Sequence, residues 1–321
     1  MTTWLLTGGA GYIGSHVLRA LQAGGFDAVV LDDMSSGVRE RVPEGVPFVE
    51  ASVLDTDRVR AALEEHSVDG VVHLAAKKAV GESMEQPLLY YRENVGGYES
   101  LLRAMLDAGV DRMVFSSSAA VWGTPASERV TEDEPTNPIS PYGETKLVCE
   151  WMLRDVARAS GMRWASLRYF NVAGAGAPEL ADTSVANLIP LVFQALTTGR
   201  KPQVYGDDYP TRDGTCIRDY IHVVDLAEAH VAAARRLDEA PLGEIYNLGR
   251  GEGVTVKEVL DVARRVTGSA FEYDVVGRRA GDPPAYFADP AKVERELGWK
   301  ATRDLEDMVA SAWEARQARS R

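Results

Sequence analysis

The sequence predicts an α/β protein: a doubly wound parallel sheet followed by a smaller mixed α/β domain. Three observations lead there. Short apolar runs ending in small or polar residues recur through the first half, helix-period segments separate them, and the alternation loosens after Phe170. The runs are TWLLTGG, AVVLDD, PFVEAS, DGVVHLAA, DRMVFSSS and RWASLRYF, each reading as a buried strand. SHVLRALQAGG (15–25) and YESLLRAMLDAG (98–109) carry apolar residues at helical spacing and close on glycine, as helices often do. Strand–helix alternation of this kind yields a parallel sheet with helices on both faces. Right-handed crossovers then put a ligand crevice at the carboxyl ends of the strands.

Residues 171–217 are rich in Gly, Pro and Asn, with one clear helical stretch, NLIPLVFQALTTGR. DYIHVVDLAEAHVAAARR (219–236) reads strand-then-helix again and suits a return to the large sheet. The last 80 or so residues mix short strands and helices, as a cap domain would. The expected division is therefore 1–170 for the sheet domain, rejoined around 219–240, and 171–321 mainly for the smaller one.

Composition narrows the function. A net charge of −13 argues against a nucleic-acid partner, because phosphate backbones require a basic surface. Cys149 and Cys216 are far apart and form no C-x-x-C pair, so a disulfide framework or cysteine zinc site is not expected and a reducing cytoplasm fits. The start, MTTWLLTGG, has no basic leader, and no run approaches membrane-spanning length, so no membrane association is expected. The five histidines show no H-x-x-x-H spacing, and no metal site is expected.

LLTGGAGYIGSH (5–16) links the first strand to the first helix. Gly9, Gly11 and Gly14 satisfy G-x-G-x-x-G, and Gly8, Gly11 and Gly14 the wider G-x-x-G-x-x-G. Glycines let a pyrophosphate approach backbone N–H groups at the positive end of a helix. Asp32 ends the next strand 18 residues after Gly14, where a carboxylate accepts hydrogen bonds from a ribose diol and repels a 2′-phosphate. NAD, rather than its phosphorylated form, is the cofactor this predicts.

SPYGETK (140–146) sets Tyr142 one helical turn before Lys146. Ser140 suits a helix cap and Pro141 the first helical position, so the phenol and the ammonium share a face. A free tyrosine titrates near 10; lowering that by about three units takes roughly 4 kcal/mol, within reach of two nearby cations in a dry cleft. The phenolate would then remove a hydroxyl proton as hydride leaves the same carbon. FSSSAAVWG (115–123) puts hydroxyls at a strand end, with Ser118 expected against the reacting oxygen; serines there also read as plain loop solvation.

TGGAGYIGSH, SPYGETK and the strand-end serines resemble the extended short-chain dehydrogenase/reductase family. HLAAKKAVGES, LRYFNVAGA, GDDYPTRDGTCIRDYIHVVDLAEAH, IYNLGRGEG and RRAGDPPAYFAD resemble its UDP-sugar 4-epimerase branch over nearly the whole chain. The resemblance implies a Rossmann sheet, bound NAD and a homodimer built through helices such as 98–109 and the one starting at Ser140. It implies interconversion of UDP-galactose and UDP-glucose by transient oxidation at C4, or the same reaction on a UDP-N-acetylhexosamine or UDP-uronic acid.

Tyr142 would be the base, Lys146 its electrostatic partner and Ser118 the proton shuttle. Gly8, Gly11, Tyr12, Ile13 and Gly14 would hold the pyrophosphate, and Asp32 and Asp33 the adenosine end, with Ser35, Ser36, Ser52 and Val53 beside the cofactor. Leu74, Ala75, Ala76, Lys78, Ser116 and Phe170 would line the rest of NAD. The UDP-sugar would meet Lys78, Ser118, Tyr142, Asn171, Asn187, Leu188, Tyr205, Arg218, Arg279, Asp282 and Tyr286. Arg218 beside Asp219 also reads as an ion pair, and Tyr286 as core. The sequence departs from the family pattern at Ser52, Glu93, Ala120 and Trp122, which bears on cofactor affinity and the nicotinamide pocket.

Overall fold

The structure is a computed structural model, and it describes residues 2–184, 187–279 and 282–319. Strands β1 (Thr3–Thr7), β2 (Asp27–Asp32), β3 (Phe48–Glu50), β4 (Gly70–His73), β5 (Arg112–Ser118), β6 (Arg163–Tyr169) and β7 (Gly243–Leu248) form one sheet. Its order is β7-β6-β5-β4-β1-β2-β3, and every pairing is parallel. The chain begins mid-sheet, winds to one edge, then crosses to build the other, which makes the sheet doubly wound.

The pleat divides the strand residues between two cores. Trp4, Leu6, Val30, Val72 and Val114 pack on the side of α1 (Tyr12–Ala23). Their neighbours Leu5, Val29, Leu31, Val71 and Met113 face α2 (Thr56–Glu65), α3 (Gly97–Ala108) and α4 (Pro141–Ser160). Alternation with a period of two along each strand is what places consecutive apolar residues on opposite faces. Register aligns Thr7 with Leu31 and His73, and Ser118 with Tyr169, so the strands end along one rim.

The smaller unit holds a four-stranded sheet in the order Val254–Thr255, Ile217–Arg218, Ala285–Ala288, Arg129–Val130. The last of these comes from the first half of the chain and crosses over to pair with Ala285–Ala288. Helices Leu188–Thr197, Val256–Thr267 and Leu305–Arg319 close a separate core around Ile189, Phe193, Leu260 and Met308. Tyr220–His222 pairs with Asn171–Ala173 outside the large sheet, and the helix Val223–Glu239 packs on α1's side of it.

Asp219 joins these parts. Its buried carboxylate accepts backbone N–H groups from Arg250 (2.9 Å), Gly251 (3.1 Å) and Ala288 (3.0 Å), and burial pushes its pKa up to about 6. Among the described residues no helix is long and apolar enough to cross a membrane.

Candidate active site

The glycine turn is sterically closed to anything larger. Gly8 has φ +74°, and a Cβ there would stand 2.8 Å from the Ala75 nitrogen. A Cβ on Gly14 would overlap the carbonyl of Gly8. Gly11 caps α1 without any side-chain hydrogen bond, which leaves the first amides of the helix for an anion. Asp32 is buried at the end of β2, where its two oxygens accept from the nitrogens of Ala10 (3.0 Å) and Met34 (2.9 Å). Burial raises its pKa, and those two hydrogen bonds oppose the shift. Lone pairs remain on both oxygens for a diol. Asp33 is exposed and accepts from Ser35. The cradle, the uncapped helix and the carboxylate fit a dinucleotide.

Ser140 caps α4, its hydroxyl accepting from the Gly143 nitrogen at 3.2 Å, with Pro141 at the first helical position. Tyr142 and Lys146 are both buried in the first turns. Lys146 Nζ donates to the Ser116 carbonyl at 2.8 Å and lies 5.0 Å from the Phe115 ring centre; burial lowers its pKa to about 8. The nearby Ser118 hydroxyl draws the Tyr142 pKa down, but burial is the larger influence and raises it. The ammonium donates to a carbonyl, and desolvation disfavours the phenolate, so ionisation of Tyr142 calls for further positive charge close by.

The three serines of β5 divide their work. Ser116 Oγ meets His230 Nε2 at 2.9 Å, Ser117 Oγ donates to Glu150 Oε1 at 2.6 Å, and Ser118, whose hydroxyl accepts from the Ala120 nitrogen at 3.2 Å, stands on the cavity wall with Tyr142. Glu150 also forms a buried ion pair with Arg168 at 2.7 Å, directly behind the strand. Among the described residues no cluster of His, Cys, Asp or Glu could hold a metal.

A cavity of about 690 Å³ runs along the strand ends. It is lined by Gly8, Gly11, Tyr12, Ile13, Gly14, Asp32, Asp33, Ser35, Ser36, Ser52, Val53, Leu74, Ala75, Ala76, Lys78, Ser118, Tyr142, Lys146, Phe170, Asn171, Asn187 and Tyr286. Ser116 reaches this region only through its carbonyl, on Lys146.

Leu188, Tyr205, Arg218, Arg279 and Asp282 are not on the cavity wall but continue from it. Phe170 stacks on Tyr286 (5.5 Å), Arg218 lies over Tyr286 (5.0 Å), and Arg218 pairs with Asp282 (3.4 Å). Arg279 lies 3.9 Å from the Tyr205 ring centre. Leu188 opens its helix directly after Asn187. Ala280 and Gly281 of the RRAGDPP segment lie outside the described residues. The adjacent Asp219 is not Arg218's partner, being occupied by backbone amides.

Several lining residues gave no signal in the sequence, among them Arg41, Glu82 and Asp182–Ser184. Arg41 sits in a charged run, RERV, that reads as surface. Long-range contacts bring these groups in. Tyr12 Oη donates to the Gly174 carbonyl (2.6 Å), the Gly176 nitrogen to His16 Nε2 (2.8 Å) and Arg41 Nη2 to the Ala181 carbonyl (2.6 Å). Glu93 also lines the cavity, while Asn94 is internal: it brackets Lys77 and accepts no role on the wall. Trp122 packs behind Phe170 at 5.7 Å.

Comparison with known proteins agrees with this geometry. The profile of the NAD dependent epimerase/dehydratase family matches residues 4–249. A UDP-glucose 4-epimerase of Azospirillum brasilense is 46% identical, the match covering 97% of this chain and 91% of the relative. The crystal structure of UDP-glucose-4-epimerase from Stenotrophomonas maltophila, with bound NAD and formylated UDP-arabinopyranose, superposes with a TM-score of 0.96 at 42% identity, covering 100% of this chain and 99% of the other. That of Brucella ovis UDP-glucose 4-epimerase in complex with NAD gives 0.94 at 42% identity, covering 98% of each. The chain belongs to the NAD dependent epimerase/dehydratase family, with NAD as its cofactor.

Proposed function

We propose that this protein interconverts UDP-galactose and UDP-glucose, with Tyr142 as the base. The observation that carries the proposal is that Tyr142, Lys146 and Ser118 stand on the wall of the same cavity that the glycine turn and Asp32 line. The cofactor held by the glycine turn and Asp32 would supply a reversible hydride acceptor for sugar C4, so that no net oxidation occurs. Tyr142 Oη, ionised beside the positive charge of the bound cofactor and of Lys146, would take the C4 hydroxyl proton with Ser118 bridging, and give it back when the ketone is reduced. Burial opposes the phenolate, so a positive charge must stand close by during that step. Lys146, one turn along α4, contributes to it.

At the far end, the guanidinium groups of Arg218 and Arg279 offer forked donors for a diphosphate, and Tyr205 an aromatic face for uracil. A substrate held by its diphosphate keeps the sugar free to present either face. Residues 1–170 with 219–240 would then carry the cofactor, and the rest of 171–321 mainly the UDP-sugar. The exposed apolar side chains on the helices before and within α4 support a homodimer, and the buried unpaired Cys149 and Cys216 suit a reducing cytoplasm.

The test supplies UDP-galactose to purified protein without added cofactor and looks for UDP-glucose by chromatography, with UDP-N-acetylgalactosamine in parallel. Conversion of the plain hexose is expected, together with NAD in the supernatant after denaturation. Protein that releases NAD yet converts no UDP-hexose would overturn the reading.

A further inference from the structure

Arg41 is a buried cation with too few partners. It is 2% exposed. Nη2 donates to the Ala181 carbonyl at 2.6 Å and lies 3.5 Å from Thr183 Oγ1. Nε is buried without a hydrogen bond, and among the described residues no carboxylate lies within ion-pair distance of the guanidinium. Asp182 is the one acid whose charge it feels, and Asp182 Oδ1 already accepts from the Ser184 nitrogen (2.9 Å) and hydroxyl (2.8 Å). Arg319 adds a second positive charge in the neighbourhood. Burying a guanidinium this way is costly unless an anion arrives to meet it.

The location indicates which anion. Arg41 shares the cavity wall with Gly11, Tyr12 and Ile13, the uncapped start of α1. Its charge is felt at Tyr12 and His16, in the first two turns of that helix. A 2′-phosphate is disfavoured by the Asp32 carboxylate, and the UDP end of the cleft has its own arginines beyond Tyr286.

We infer that Arg41 is the counter-ion of the cofactor's pyrophosphate, and that through the Ala181 carbonyl it fastens the 174–184 segment over the bound dinucleotide. This rests on the NAD assignment and adds to it a residue outside the glycine motif. The same segment is tied to α1 by Tyr12–Gly174, His16–Gly176 and the Arg19–Glu179 ion pair at 3.0 Å. Arg41 would thus join the retaining segment to the charge it retains.

The experiment follows NADH fluorescence in the full-length protein while ADP-ribose or adenosine competes for the site. Arg41→Met is expected to weaken ADP-ribose at least about tenfold while adenosine changes by less than about twofold, since only the former carries the pyrophosphate. Equal weakening of both would reduce Arg41 to a clamp, and no weakening would remove it from the site; either overturns the inference. Should Arg41→Met fail to fold, Arg41→Lys keeps the charge without the fork. It must still weaken ADP-ribose severalfold relative to adenosine, and an unchanged ratio is equally fatal. Wild type and variants alike are first freed of their own NAD, and wild type that then bound no NADH would instead refute the NAD assignment.

Discussion

Burial and the hydroxyl of Ser118 pull the Tyr142 phenol in opposite directions, and burial prevails. The proposed base thus needs added positive charge beside it to ionise. Tyr142→Phe keeps the ring packing and removes the proton acceptor. Turnover of UDP-galactose should fall by about 10²–10⁴, with NAD content after denaturation unchanged; normal turnover would refute Tyr142 as the base. Tyr142, Lys146, Ser118 and Asp32 were legible in the sequence because strand ends and first helical turns position them through short-range spacing. Arg41 was not, since its neighbours Ala181 and Thr183 lie some 140 residues away in the chain. Arg218 shows the same limit: its sequence neighbour Asp219 turns to backbone amides, and its partner is Asp282.

At the scale of elements, helix ends were readable from their stop signals. Gly109 adopts φ +72° just after α3, and Gly161 adopts φ +80° after α4. The segment between β4 and α3 is less regular. Short helices Val80–Glu85 and Pro87–Tyr90 run into a wider turn, Tyr91–Gly96. Along it Met84 (61% exposed), Leu88 (82%) and Tyr91 recur at helical spacing, while Trp151 (48%) is exposed on α4, which packs beside them. Apolar groups this exposed on neighbouring helices would suit the interface of the proposed homodimer. Leu88→Asp should therefore yield a particle of half the wild-type mass in sedimentation, and a wild-type protein already monomeric at micromolar concentration would count against the dimer.

Across the whole molecule, four histidines are buried in neutral form: His73 at a pKa of about 3, and His16, His222 and His230 at about 4, each lowered first by burial. In the unfolded chain they titrate near 6.5. As pH falls below that value the unfolded state takes up protons that the fold refuses, so stability drops toward each folded value. Asp219, raised to about 6, works the other way, as do Asp32 and Glu132, whose carboxyls burial also raises, but they are fewer than the histidines. Denaturant unfolding should thus show stability lower by several kcal/mol at pH 5 than at pH 7. Each histidine costs up to about 1.4 kcal/mol for every pH interval of one in which only the unfolded chain holds its proton. A flat profile would show the histidines to be hydrated. By itself the sequence determined the parallel sheet, the glycine turn that admits a dinucleotide and the placing of Tyr142 and Lys146 one turn apart on one helix, because all three follow from local periodicity and steric rules. Only the tertiary structure decided that Gly243–Leu248 fills the sheet's seventh place, how Ser116, Ser117 and Ser118 divide their partners, where Arg41 lies and that burial raises the phenol's pKa. These depend on segments distant in the chain meeting, and on the low dielectric that their meeting creates.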